Sequence, residues 1–220
     1  MPRKRDYIAE ILDTRSRAYR RAGRWQQFVK RNHAIIAAFN FLEKARGSKT
    51  AKLELAKYFS IGNVASIEAY FRLAIRDLIE HGSPFDENAR KLQDLKLDIG
   101  IVLDMRREKV SHGELIAHLI SLNNLEDINR NMSVIIADDF LDAVQKVSIP
   151  SFEKPVLEIQ PNLFQDLKDL FVRRHIYCHE IAMKTMPSLD KEHDGVLAAI
   201  FFVNATENLI EEILAEHAHH

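Results

Sequence analysis

A single cysteine, Cys178, stands in the 220 residues, so no disulfide can form within the chain. That excludes a disulfide-stapled secreted scaffold and makes a reducing compartment the expectation. Glycine and proline are sparse, seven and six residues, and so few turn-formers favour long helices over many short strands. No apolar run reaches the roughly 18 residues of a membrane span. The first residues, MPRKRDYIAE, lack the apolar segment of a signal peptide. A cytoplasmic protein with no membrane partner is expected.

What is present is ordinary in amount and uneven in place. Hydrophobic residues make up 46% and charged residues 29%, a balance that supports one packed core over the whole length. Residues 1–31 carry ten Lys or Arg against Asp6, Glu10 and Asp13, a net of +7; with −1 for the chain, the remainder carries −8. A basic arm on an acidic body suggests contact with an anion such as nucleic acid. The plainer alternative is a solvated helix face that pairs with the protein's own acidic surface.

Apolar spacing predicts the helices. Residues 6–22 carry a stripe of Tyr7, Ile8, Ile11 and Leu12. A second helix, about 25–45, carries Trp25, Phe28, Ile35, Phe39 and Leu42, with Trp25 a core anchor. A third opens after Asn63 as N-cap and stops at His81-Gly82. Its stripe is Val64, Ile67, Phe71, Ile75 and Leu78, and Glu68 falls within it. A carboxylate there needs a partner, the local choice being Arg72 four residues on. The middle segment, 85–150, is less legible. Ser111 and Glu114 form a capping box opening a helix to about Leu122, and another helix spans about 138–147. Residues 148–161 hold three prolines and read as a connector. Pro161 then opens a helix with Leu163, Phe164, Leu167, Leu170 and Phe171, ending near Met186-Pro187. A last helix, about 190–217, has an apolar stripe wide enough to be covered on more than one side. The expectation is a single all-α domain over 1–220, a bundle of helices.

Within the 161–186 helix lies LFVRRHIYCHE, with Arg174 and His179 five positions apart and His175 beside the arginine. Seventeen Arg and ten His make about one such spacing expected by chance, and three occur: Arg76 to His81, Arg107 to His112, and Arg174 to His179. Context separates them. His81 sits at a helix end, where a cation meets the C-terminal dipole. Arg107 and His112 straddle a polar loop. The third pair lies in an apolar helix followed by another long apolar helix.

The run RHIYCH, Arg174 to His179, with NVASIEAYFRLAIRDLI and its Glu68, resembles the HEPN superfamily. In that family a small helical bundle carries an Arg, a polar residue and a His on a late helix. The likeness covers 55–81 and 161–217; the basic arm 1–31 and the segment 85–150 lie outside it. It implies an up-and-down bundle with extra helices. It also implies a metal-independent endoribonuclease acting on RNA as a homodimer, often a toxin with an antitoxin or a defence-system effector. Other members are non-catalytic modules binding a nucleotide or a protein. The site residues implied are Arg174, His175 and His179, with Glu68 in support, and no cofactor or metal.

The side-chain chemistry points the same way. Cleavage of RNA by its own 2′-hydroxyl needs a base, an acid and a cation beside the phosphorane. Histidine serves either proton role, and arginine matches phosphate with a planar fork. Five positions are about 500° of helix, so Arg174 and His179 project about 140° apart, a demand that a shared dimer cleft relaxes. The same histidines also read as a metal pair, four residues apart, with Cys178, Glu180 or His193 to complete it. Against that, no Glu lies between them as in the zincin pattern. Cys178 is otherwise read as a small buried residue. His217, His219 and His220 form a frayed polar end.

Overall fold

The computed structural model describes residues 5–17, 23–92, 99–179 and 187–217. Eleven helices account for most of them: α1 Tyr7–Arg17, α2 Arg24–Lys44, α3 Lys49–His81, α4 Phe85–Ala89, α5 Ile99–Glu108, α6 His112–Leu119, α7 Leu125–Ile136, α8 Phe140–Lys146, α9 Val156–Ile159, α10 Leu163–His179 and α11 Leu189–His217. The only strands among the described residues are β1, Ser148–Ile149, and β2, Lys154–Pro155, paired antiparallel in the proline-rich connector. The protein is an all-α bundle.

Helix α3 is its axis. At 33 residues and about 1.5 Å per residue it runs about 50 Å. It packs against α2, α6, α10 and α11, and also touches α4 and α7. Val64, Ile67, Phe71, Ala74, Ile75 and Leu78 are fully buried along it. Phe71 sits edge-on or tilted against Tyr70, Phe140 and Phe202, with ring centroids 5.4–5.8 Å apart, tying α3 to α8 and α11. Its end lies where the sequence places it, at Gly82, whose φ of 101° suits a residue without Cβ.

Its start does not. The helix begins fourteen residues before Asn63 and runs through it; Asn63 is buried and its amide donates to the Phe59 carbonyl at 2.8 Å. Ala56, Phe59, Ser60 and Asn63 share one buried stripe, so tertiary packing carries the helix past residues whose own preference is for caps. Pro161 likewise lies two residues ahead of α10, which follows Asn162. The capping box at Ser111 and Glu114 is formed, but α6 stops at Leu119 rather than Leu122.

The basic arm follows the plainer of its two readings where it is described. Arg5 pairs with Glu10, Arg15 with Glu114, and Arg24 with both Asp77 and Glu207. Helix α1 sits on α5 and α6 through a small second core of Ile8, Ile11, Met105, Val110 and Leu115. Trp25 packs against the main core as expected. No described helix is long and apolar enough to cross a membrane.

Among the described residues three, Lys109, Ala137 and Glu153, hold a left-handed conformation that their side chains oppose. Ala137 closes α7 in the left-handed region, φ 57° and ψ 32°, where a Cβ costs about 1–2 kcal/mol. Ala137→Gly removes that term at some cost in chain entropy. Chemical denaturation should show it stabilised by about 0.5–1 kcal/mol. A destabilised variant would contradict the assigned backbone.

Candidate active site

Helix α10 changes character along its length. Leu163, Leu167 and Leu170 are fully buried and Phe171 nearly so, which seats its first half against α3 and α11. Its last two turns emerge. Val172 is 57% exposed, and His175, Cys178 and His179 are all exposed. Cys178 is therefore not the small buried residue its apolar surroundings in sequence suggest. The predicted helix end near Met186-Pro187, and Glu180, lie outside the described residues.

Arg174, His175 and His179 line one open groove of about 630 Å³ with Lys168, Phe171 and Val172 of the same helix. Asn123, Asn124, Leu125 and Glu126, at the start of α7, form the opposite wall. The predicted divergence of about 140° between Arg174 and His179 does not keep them out of one groove. The groove is wide, and His175 lies between them with its ring centroid 4.7 Å from that of His179.

Glu68 reaches this site from α3. The Arg174 guanidinium donates to its carboxylate, and both side chains are about one-quarter exposed or less. The local alternative does not form. Arg72 instead turns to α6, donating to the carbonyls of Ala117 and His118 at the helix C-terminus, where a cation suits the dipole. Burial holds the Arg72 guanidinium below its ordinary pKa, with Glu68 nearby acting the other way.

Arg173, not singled out from sequence, is more deeply buried than Arg174. It points away from the groove into α11, where its Nε lies 3.1 Å from a carboxylate oxygen of Glu192, itself completely buried. Glu192 also accepts from Ser60 Oγ at 2.6 Å and Tyr177 Oη at 3.2 Å. Arg173 donates to the Lys191 carbonyl at 2.9 Å. Burial pushes the Glu192 carboxyl up in spite of these donors, and burial together with Glu192 pushes the Tyr177 hydroxyl up. Gly195 makes room: a Cβ there would lie 2.6 Å from Arg173 Nη2 and 2.9 Å from Leu170 Cδ1. The signal for this network is in the sequence. Glu192 stands four residues before Val196, in the buried stripe of α11, as Glu68 stands in that of α3.

The look-alike pairs lie elsewhere. Arg76 pairs with Asp77, and His81 packs on Phe85. Arg107 pairs with Asp104 and Glu108 on the surface. His193 is exposed and stacks near Phe39 at 5.6 Å, on the α2 side. Among the described residues no three His, Cys, Asp or Glu side chains are grouped to hold a metal.

The chain matches no family model, no curated protein and no solved structure.

Glu192→Ala would leave the mostly buried Arg173 without its carboxylate, a loss of up to the roughly 3–5 kcal/mol of a fully buried pair. Glu68→Ala breaks a pair with more solvent access and should cost less. Urea denaturation of the two variants tests the order, and equal losses would show that burial does not rank the pairs.

Proposed function

We propose that the protein is a metal-independent endoribonuclease of HEPN type, working at the groove lined by Arg174, His175 and His179. The observation that carries this reading is the meeting of one guanidinium and two imidazoles in an open groove, with a carboxylate fixing the guanidinium. One histidine takes the proton from the RNA 2′-hydroxyl; the other gives a proton to the departing 5′-oxygen. Arg174 bonds Glu68 through Nη2 and keeps its other N–H groups for the charge on the phosphorane. Lys168, on the same wall, adds a second cation for the RNA backbone. The open groove and the exposed α10 face suit a homodimer in which two such walls share one cleft. A toxin held by an antitoxin, or a cytoplasmic defence effector, is the setting in which such an activity fits.

A second reading has its own support. Glu68 neutralises part of the Arg174 charge, which favours a module that binds a nucleotide or a protein without cleaving it.

Variants separate the two. His179→Ala should lower cleavage of RNA about 10²–10⁴-fold, and Arg174→Ala by a comparable or larger factor. Glu68→Gln should lose both activity and stability. His179→Ala should keep the wild-type circular dichroism because its side chain is exposed; Arg174→Ala and Glu68→Gln should keep it too, with a lower denaturation midpoint. Arg107→Ala and His112→Ala should cleave normally. Light scattering should give about 51 kDa, twice the 25.4 kDa chain. Full activity in His179→Ala, or in a monomer, would overturn the corresponding part of the proposal.

A further inference from the structure

His175 and His179 have a second capacity. Their positions are four apart on α10, about 40° from alignment along the helix, and their ring centroids are 4.7 Å apart with the planes 49° from parallel. Both rings are exposed. Beyond each other, neither has a hydrogen-bond or ion-pair partner among the described residues. Among the described residues, nothing commits a lone pair of either ring, and both rings lie open at the groove. Two imidazoles at this spacing are the geometry by which a helix offers two ligands to one metal ion.

The charges nearby permit a cation. The groove holds two basic side chains besides the histidines, and each is matched by a carboxylate: Arg174 by Glu68, and Lys168 by Glu126 at 3.4 Å. These pairs lower the repulsion that an entering cation meets. Imidazole nitrogen selects zinc, copper or nickel over magnesium and calcium, which demand oxygen. Among the described residues no third protein ligand stands ready: His193 lies beside Phe39, and no group of three is formed. Two protein ligands make an exchangeable site, unlike the closed four-ligand sites that hold a fold together.

We propose that His175 and His179 chelate a divalent transition cation of the zinc class, water filling its other positions, and that the bound ion silences the groove. The silencing rests on the ribonuclease reading. A cation on both imidazoles occupies the lone pair that would accept the 2′-hydroxyl proton and displaces the proton that the acid would donate. Zinc is here an inhibitor, and its removal leaves the enzyme active.

Calorimetric titration of the full chain with zinc chloride, without RNA, tests the chelate by itself. The wild type should bind saturably. His175→Ala and His179→Ala should each weaken that binding by at least about tenfold, the loss that even an outer partner of a ligand can cause. Both side chains are exposed, so both variants should fold. His217→Ala and a His219→Ala/His220→Ala double variant should bind as the wild type does, and magnesium should not compete. Zinc binding that survives in His175→Ala and His179→Ala, or that follows the C-terminal histidines, overturns the proposal. In a cleavage assay, zinc at saturation should stop the wild type and EDTA should restore it. Undiminished cleavage by the zinc-saturated protein overturns the inhibitory role. Zinc binding that depends on His175 in a protein inactive on RNA under all conditions supports the chelate and overturns the ribonuclease reading.

Discussion

The ion pair between Glu68 and Arg174 sets the candidate site. Its two partners belong to helices far apart in sequence, and each side chain is about three-quarters removed from solvent. A carboxylate in the stripe of α3 and a guanidinium near the end of α10 would each be costly alone. Together they fix the register of α10 against α3 and turn the guanidinium toward the groove. With side chains about one-quarter exposed or less, removing one partner should cost up to about 3 kcal/mol.

That pair is half of a clamp. Arg173 and Arg174 are adjacent, so their side chains leave α10 about 100° apart. One goes to Glu192 on α11 and the other to Glu68 on α3. The first is the more buried, packed beside Leu170 in the space Gly195 leaves, and extended by Ser60 and Tyr177. The second opens on the groove. The last turns of α10 are thereby held at two points while one face stays free, and that face carries His175 and His179. Precision in such a site comes from what holds the helix, since the histidines themselves have no other anchor among the described residues.

Local chemistry is what the sequence makes legible. The Ser111 and Glu114 box and the Gly82 terminus need only residues a few positions apart, and both stand where they are read. The long helices α2 and α11 show several turns of period and are placed within a residue or two at their starts. The start of α3 is illegible because Ser60 and Asn63 are polar residues buried by other helices. In the described part of 85–150 the helices have twelve residues or fewer, too short to display a firm period. At the site, Glu68 is legible as a carboxylate out of place. The same sign at Glu192 is masked by the long apolar stripe after it. The exposure of His175, His179 and Cys178 depends on where α11 leaves α10 uncovered, and no local pattern encodes that.

The central claim is that the groove turns RNA's own 2′-hydroxyl on the adjacent phosphate, with protons moved by imidazole and no metal in the step. The nature of the cut ends tests it most directly. RNA incubated with the purified protein in EDTA should yield 2′,3′-cyclic phosphate and 5′-hydroxyl termini, and a substrate with one 2′-deoxy residue should resist at that position alone. Ends bearing 5′-phosphate and 3′-hydroxyl, or equal cleavage of the deoxy position, would contradict it.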